Sequence, residues 1–215
     1  MKVFITGTSK GLGWGLANHY LNIGYDVVGL SRSIPKDLAE NKKYKHITVD
    51  LQYLEKIEFN LNPYIKSIVS DLDLVILNAG ILDEIKELDN TEIKELNTLI
   101  DINLWSNKII IDLLLKEENT IKQIVAISSG ASINGSKGWG GYSISKAALN
   151  MMIKLYASEN DNIHFTSLAP GLIDTSMQDY LCGKVDEHKF PSAKRLKESR
   201  GTDLMPSPIK AGIIV

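Results

Sequence analysis

The first 24 residues combine a short apolar run with closely spaced glycines, and this combination restricts the fold more than any other feature. Val3 to Thr6 is typical of a buried strand, Gly7-Thr8-Ser9-Lys10-Gly11-Leu12-Gly13 follows it, and a helical pattern then runs to Gly24. Glycines let the backbone approach a ligand closely, and a helix N-terminus offers unpaired N–H groups to an anion. The order of strand, glycine turn and helix therefore indicates a phosphate-binding element, with a simple tight turn as the alternative.

The same alternation continues along the chain. Further strands are predicted at residues 25–30, 47–50, 72–77, 121–127 and 163–168, and helices at 53–70, 91–116 and from Tyr142 through Leu155, the first interrupted by Pro63. Strands alternating with helices predict an α/β fold: a Rossmann-type, doubly wound parallel sheet in three αβα layers. With no long linker or repeat, residues 1–215 are predicted to form a single dinucleotide-binding domain.

Composition limits the partners and the compartment. The 215 residues are 44% hydrophobic and 23% charged with a formal net charge of -2, which gives no general attraction to nucleic acid or anionic lipid. Cys182 is the single cysteine, so we expect no intrachain disulfide, no metal site and a reducing, cytoplasmic setting. The apolar run at the N-terminus is too short for a signal peptide, and no run approaches the ~20 apolar residues of a membrane span. Small molecules are the expected partners.

The end of the second predicted strand bears on the choice of coenzyme. In a dinucleotide fold an acid there binds the free 2′-hydroxyl of the adenosine ribose, whereas an arginine accepts a 2′-phosphate. Here Ser31-Arg32-Ser33 supplies an arginine and no acid, and Lys10 in the glycine turn adds a second cation. NADP(H) is therefore preferred over NAD(H), unless both cations are simply solvated surface charges.

Two further strand ends carry candidate ligand-binding residues. Asp50-Leu51 closes the third strand, where the carboxylate either accepts a hydrogen bond from the adenine amine or caps the next helix. Asn78-Ala79-Gly80 closes the fourth strand, and small residues there let a coenzyme pass close to the backbone.

A possible catalytic group follows the fifth strand. Tyr142 and Lys146 lie four residues apart at the start of a predicted helix, so their side chains share one face. A nearby positive charge favours the ionised phenol, which moves its pKa toward the range that a general acid or base needs. The alternative is an ordinary surface pair. Asn103 falls on or beside a buried helical stripe, where its amide must be hydrogen-bonded as a structural bracket, a site residue, or both.

Taken together, Thr6-Gly7-x-x-x-Gly11-x-Gly13, Asn78-Ala79-Gly80, Asn103, Ser129, Tyr142-x-x-x-Lys146 and Pro170-Gly171 resemble the short-chain dehydrogenase/reductase family over most of the chain. Ser129 lies thirteen residues before Tyr142, which is the family's interval and selects it over Ser128. The segment from Pro170 to Gln178 further resembles the sepiapterin reductase and benzil reductase branch.

The resemblance implies an NADPH-dependent oxidoreductase that reduces a small ketone or dicarbonyl. Tyr142 would be the general acid/base, Lys146 would lower its pKa and hold the nicotinamide ribose, Ser129 would bind the substrate oxygen, and Asn103 would anchor a proton-relaying water. The implied coenzyme-binding set comprises Gly7, Ser9, Lys10, Gly11, Leu12, Gly13, Arg32, Asp50, Leu51, Asn78, Ala79, Gly80, Tyr142, Lys146, Pro170, Gly171 and Thr175. The alternative function is a non-catalytic NADP(H)-binding or sensing protein on the same fold.

The C-terminal region carries the remaining expectations. Residues 174–208 are polar and weakly patterned, which predicts a lid or substrate loop or, alternatively, a disordered surface excursion. The last residues, 211–215, are predicted to be the start of a helix or an abrupt final strand, so six strands are visible and the family's seventh is uncertain. Either the sequence stops before that strand or the sheet has an open edge. Helices near 91–116 and 142–158 remain available to build a homodimer or homotetramer.

Overall fold

The structure is a computed structural model that describes residues 1–70, 72–118 and 120–215, and a six-stranded sheet lies at its centre. The strands are Lys2–Thr6 (β1), Asp26–Ser31 (β2), Tyr44–Thr48 (β3), Leu72–Leu77 (β4), Gln123–Ile127 (β5) and His164–Leu168 (β6). All neighbouring strands are parallel, in the order β3-β2-β1-β4-β5-β6. The order reverses at β1 and β4, and the crevice outside the carboxyl ends of strands at such a point is where open α/β sheets bind ligands.

The helices are Gly11–Asn22 (α1), Lys36–Ala39 (α2), Leu54–Val69 (α3), Ile93–Ile100 (α4), Ser106–Leu115 (α5), Gly140–Glu159 (α6), Ser176–Gly183 (α7), Pro191–Ser199 (α8) and Pro208–Ile214 (α9). Alternate residues of β1 show how they cover both faces of the sheet. Val3 and Ile5 belong to an apolar cluster with α1 and α9, whereas Phe4 belongs to a larger cluster with α3, α5 and α6. The predicted three-layer, doubly wound parallel sheet is confirmed.

Some predicted boundaries are wrong for identifiable reasons. The third strand runs over Tyr44–Thr48 and not over 47–50, because its pairing with β2 determines its extent. Pro63 does not interrupt α3. The proline lies on the exposed face, and the helix carbonyl it leaves unpaired belongs to Phe59, whose side chain is 79% exposed, so water can satisfy that group.

The helix predicted over 91–116 is interrupted. Between α4 and α5 the backbone forms a five-residue π-helical turn, Asp101–Trp105, with Asn103 at its centre. Single π turns are frequent at functional sites because they re-aim side chains within a helix. Periodicity alone predicts the helix here but not the turn.

Residues 174–208 are not a disordered excursion, because they contain α7 and α8. Their apolar side chains form a separate small cluster that includes Leu181, Phe190 and Leu196 and packs against Ile85, in the loop after β4. Polar composition concealed this cluster, because only one face of each short helix is apolar.

The chain's last residues form helix α9, so the expectation of a helix is confirmed and that of a final strand is wrong. Helix α9 packs tightly on α1: a Cβ placed on Gly15 would lie 1.9 Å from the Pro208 carbonyl oxygen, and one on Gly212 would lie 2.5 Å from the backbone of Gly15. Small residues therefore allow the two helix backbones to touch.

Candidate active site

A cavity of about 340 Å³ opens at the carboxyl ends of the strands. It is lined by nearly all of the predicted site residues, which come from every part of the chain between the glycine turn and α7. Among the predicted residues, Gly13 and Asn103 do not line it. The sheet therefore gathers the predicted residues in one place, and the two others lie behind its wall.

The glycine turn between β1 and α1 forms one side of the cavity. Gly7 and Gly11 have φ values of +79° and +63°, in the left-handed region that favours glycine. The Gly7 N–H donates to the Leu30 carbonyl at 2.7 Å, which fixes the turn against β2. A Cβ on Gly13 would lie 2.3 Å from the Gly7 carbonyl oxygen, so Gly13 lets α1 begin directly against the turn.

Asn78 ties the end of β4 to this turn. Its side-chain Nδ2 donates to the Thr6 carbonyl at 2.9 Å, and the Thr6 hydroxyl oxygen accepts from the backbone N–H groups of Asn78 and Ala79, both at 3.0 Å. These bonds join the two strands at which the sheet order reverses. Asn78-Ala79-Gly80 therefore lies in the cavity wall as a hydrogen-bonded bracket.

The phenol of Tyr142 faces this cavity from the first turn of α6. Tyr142 is 8% exposed, and a hydrogen bond joins its side chain to Ser129 at the end of β5. Burial raises the pKa of Tyr142, since it disfavours the phenolate, and the hydrogen bond with Ser129 opposes that rise. In this structure burial outweighs the predicted lowering, so the tyrosine is held as a neutral phenol at neutral pH.

Lys146 lies one helical turn after Tyr142, as the sequence predicts. Its side chain is almost completely buried, and its Nζ donates to the Ile127 carbonyl at 2.8 Å and lies 5.8 Å from the centre of the Tyr142 ring. Burial lowers the pKa of Lys146 to about 8. The pair is therefore an interior pair and not the surface pair of the alternative interpretation.

Asn103 is fully buried and acts as a bracket behind this pair. Its Oδ1 accepts from the Ile81 N–H at 2.8 Å, and its Nδ2 donates to the Ile81 carbonyl at 2.9 Å and to the Ser145 hydroxyl at 3.0 Å. Ser145 donates in turn to the Tyr142 carbonyl at 2.8 Å. The π-helical turn thus holds the start of α6 against the loop after β4.

The opposite end of the cavity carries the predicted coenzyme-selecting residues. Lys10 and Arg32 both line it with exposed side chains. Asp50 also lines it, and its Oδ1 accepts from the Gln52 N–H at 3.1 Å. Because α3 begins at Leu54 with Tyr53 before it, Asp50 holds the preceding turn and does not cap the helix.

The wall beside Tyr142 contains residues that the sequence did not indicate. Trp139 stacks edge-on to Tyr142 with ring centres 6.0 Å apart, and its Nε1 donates to the Ser192 hydroxyl at 2.7 Å. The wall is otherwise mostly apolar and includes Leu172, Met177, Leu181 and Leu196, with Gln178 as a buried amide. A tryptophan between two glycines shortly before Tyr142 was the one available signal for this wall.

The cavity fits a nicotinamide dinucleotide. Its glycine turn offers exposed backbone and a helix N-terminus to a pyrophosphate. The Ser128 hydroxyl, buried in the wall, finds no hydrogen-bond partner within the described part of the chain, which leaves it free for a ligand. Across residues 1–70, 72–118 and 120–215, neither a metal-binding group of three His, Cys, Asp or Glu side chains nor a helix long and apolar enough to cross a bilayer is found.

Comparison with known proteins agrees with this geometry. The sequence model of the short chain dehydrogenase family matches residues 1–184. The chain is 33% identical over 207 residues to the benzil reductase ((S)-benzoin forming) of Bacillus subtilis, covering 91% of this chain and 84% of that one. It is 34% identical over 192 residues to the Bacillus cereus benzil reductase, covering 82% and 77% of the two chains.

Among solved structures, the KRED1-Pglu enzyme has a TM-score of 0.83 at 26% identity and covers 99% of this chain and 92% of its own. The predicted resemblance to benzil reductases is confirmed by the two bacterial relatives. The family is one of oxidoreductases that use NAD(H) or NADP(H). The chain belongs to the short-chain dehydrogenase/reductase family and to its benzil reductase-like branch.

Proposed function

We propose that this protein is an NADPH-dependent carbonyl reductase that converts a small ketone or vicinal dicarbonyl to the alcohol. One observation carries the proposal: the Tyr142 phenol is buried, hydrogen-bonded to Ser129 and one turn from a buried Lys146, in the cavity that the glycine turn also lines. A proton donor, an oxygen-binding hydroxyl and a cation beside a proposed dinucleotide site support this function.

Tyr142 is the general acid in the direction of reduction. A substrate carbonyl oxygen accepts hydrogen bonds from the Tyr142 and Ser129 hydroxyls, and the proton of Tyr142 passes to that oxygen as negative charge develops there. The raised pKa of Tyr142 keeps this proton in place at neutral pH until the substrate binds. When bound, the coenzyme supplies a hydride to the carbonyl carbon.

Lys146 stabilises the tyrosinate that this proton transfer leaves. With a pKa of about 8, its ammonium group is mostly protonated at neutral pH, and it is buried where water screens its charge poorly. Asn103 holds the helix that carries both side chains, through Ser145 and Ile81. Its predicted second role, anchoring a water that returns a proton to Lys146, remains a prediction.

The residues proposed to select the coenzyme lie at the end of the cavity opposite Tyr142. Arg32 and Lys10 provide two cations for a 2′-phosphate, while Asp50 and Leu51 line the adenosine end. Pro170, Gly171 and Thr175 also line the cavity, and the family resemblance assigns them to the nicotinamide end. The 2′-phosphate therefore distinguishes NADPH from NADH by charge.

The substrate is proposed to be a dicarbonyl or ketone with apolar substituents. The names of the two Bacillus relatives state that they reduce benzil, and the wall beside Tyr142 is mostly apolar. Residues 174–208 form the lid over this wall. Arg200 at the end of α8 pairs with Asp174 at 3.0 Å, and Lys189 pairs with Glu87 at 2.9 Å, so ion pairs fasten the lid to itself and to the loop after β4.

The test compares wild type with Tyr142→Phe. NADPH binding, measured by fluorescence on mixing, should persist in the variant, whereas oxidation of NADPH with a panel of dicarbonyls should fall by at least about 100-fold. Tyr64→Phe, at an exposed tyrosine of α3, is the matched control and should keep full turnover. Turnover retained in Tyr142→Phe would refute the mechanism. Binding without turnover in wild type would instead support the alternative of a coenzyme-sensing protein.

Assembly and location remain predictions. Helix α6 and the π-helical turn before α5 carry exposed apolar side chains, including Trp105, Met151 and Leu155, which suit a homodimer or homotetramer. A cytoplasmic setting matches the use of NADPH. Light scattering of the purified chain tests the first prediction.

A further inference from the structure

A chain of hydrogen-bonded side chains runs beneath the glycine turn, away from the reacting groups. It begins at His46 on the edge strand β3, whose Nδ1 lies 3.2 Å from the Tyr44 hydroxyl. The Tyr44 hydroxyl shares a hydrogen bond of 2.8 Å with the Thr8 hydroxyl, and Thr8 lies in the glycine turn between Gly7 and Ser9. The Thr8 and Ser31 hydroxyls are 3.5 Å apart.

This series of hydrogen bonds crosses strand β2 at a position where the residue has no side chain. Tyr44 lies on β3, and Thr8 follows β1, so β2 stands between them. The β2 residue at the crossing is Gly29. A Cβ on Gly29 would lie 2.2 Å from the Tyr44 hydroxyl and 2.6 Å from the Thr8 Oγ1, so any side chain there would displace the hydrogen bond. The absence of a side chain at Gly29 therefore allows the contact between Tyr44 and Thr8.

The hydroxyls in this chain are shielded from water. Thr8 is fully buried, and Tyr44 and Ser31 are 7% and 6% exposed. Burial raises the pKa of Tyr44, so its hydroxyl keeps its proton at neutral pH. Removing the hydrogen-bond partner of a buried hydroxyl costs more stability than removing that of an exposed one, because water cannot replace the lost bond. The contact is therefore a rigid link between β3 and the glycine turn.

The last member of the chain reaches the turn that carries Arg32. The Ser31 hydroxyl donates to the Ser33 carbonyl at 2.9 Å, which closes the backbone around Arg32. The side chain of Arg32 itself is exposed. The position of its backbone relative to the glycine turn therefore depends on Ser31, Thr8 and Tyr44 together with the Gly7–Leu30 backbone hydrogen bond.

We propose that Tyr44 is a positioning residue that holds the Arg32 turn and the glycine turn in register, and so sets the preference of this enzyme for NADPH over NADH. Tyr44 does not line the coenzyme cavity and acts through Thr8 and Ser31. The inference rests on the proposed use of NADPH. It adds a residue two strands away from the phosphate turn, on the edge of the sheet.

The experiment measures the dissociation constants of NADPH and NADH by fluorescence for wild type, Tyr44→Phe and Thr8→Val. We expect each variant to weaken NADPH binding by about 3- to 10-fold, the effect of one neutral hydrogen bond, and NADH binding by no more than about 2-fold. The double variant should bind NADPH no more weakly than the single variant with the lower affinity, because both substitutions remove the same hydrogen bond. Turnover of Tyr44→Phe at saturating NADPH should change less than about 2-fold.

Three further variants make the outcome decisive. Tyr156→Phe is the matched control, because its hydroxyl donates to Asp112 between α5 and α6, away from the coenzyme cavity. It should leave the ratio of the two dissociation constants unchanged even if it lowers thermal stability. Thr8→Ser keeps the hydroxyl and should restore the wild-type ratio. Arg32→Ala should reduce the preference for NADPH more than Tyr44→Phe does, with Lys10 left as the second cation.

Two results would overturn the inference while leaving the proposed function intact. One is an unchanged ratio of the two dissociation constants in Tyr44→Phe when Arg32→Ala lowers the preference for NADPH, and the other is an equal loss of affinity for both coenzymes in Tyr44→Phe. A wild-type protein without preference for NADPH would overturn the proposed coenzyme and this inference together.

Discussion

The buried ammonium group of Lys146 should make the stability of the free protein depend on pH in a way that a single substitution removes. Burial lowers the pKa of this lysine from its ordinary value of 10.5 to about 8. Between these two values the unfolded chain binds the lysine proton and the folded chain has lost it. Stability therefore rises with pH through this window, and it falls as pH drops toward 8, where the buried group becomes charged.

The size of the effect follows from the same two values. One pKa unit corresponds to about 1.4 kcal/mol, so the whole window is worth about 3 kcal/mol. Little of the gain is present at about pH 7, and roughly 1.3 kcal/mol of it is present by about pH 9. Lys146→Met fills similar space without a charge. The stability difference between wild type and this variant should shift in favour of wild type by about 1 kcal/mol between these two conditions.

Urea denaturation of both proteins without coenzyme, at about pH 7 and about pH 9, measures this shift. Groups that titrate in both proteins cancel in the comparison, and the raised pKa of Tyr142 keeps it protonated throughout. A difference between wild type and variant that does not change with pH would refute the reasoning. It would mean that the lysine is solvated in the folded protein and keeps its ordinary pKa.

Two other substitutions test the surroundings of the site. Gly13→Ala should weaken NADPH binding by at least about 10-fold, because the new Cβ would lie 2.3 Å from the Gly7 carbonyl oxygen and would displace the glycine turn. Gly135→Ala is the control, since a Cβ at that position has no heavy atom within 4 Å. Equal NADPH binding by both variants would contradict the prediction. Arg200→Met should raise the KM for substrate by about 2- to 5-fold with little change in NADPH affinity, because it removes the ion pairs with Asp174 and Asp179 that hold α8 against the segment around α7. An unchanged KM would contradict the role of this segment as a lid.

The general architecture was predictable because it follows from local patterns. The apolar runs and the helical stripes between them predict a parallel sheet, and Gly7, Gly11 and Gly13 mark the first crossover. The predicted boundaries of strands and helices were wrong where tertiary contacts determine them. The extent of β3 depends on its pairing with β2, and α3 continues through Pro63 because the residue faces water.

The candidate site shows the same division. The closeness of Tyr142 and Lys146 could be predicted from their spacing on one helix, and Ser129 was indicated by the family resemblance; all three line the cavity. The wall formed by Trp139, Leu181 and Leu196 could not, because it depends on how two short helices fold back over the cavity. The predicted influence of Lys146 on Tyr142 was also incomplete, because the cost of burying each group cannot be read from their spacing.

The opposing pKa shifts of Tyr142 and Lys146 suit a reductase in particular. Burial raises the pKa of Tyr142 from its ordinary value of 10.0 and lowers that of Lys146 from 10.5 to about 8, which moves the two values apart and makes the ammonium group the stronger acid of the pair. A phenol that keeps its proton is the form needed to protonate a carbonyl oxygen. An ammonium group with a pKa of about 8 can stabilise the resulting tyrosinate and can also release a proton near neutral pH. In the proposed mechanism, the same burial that costs folding energy at Lys146 prepares the pair for proton transfer, so we expect the pH dependence of stability and that of turnover to share one physical cause.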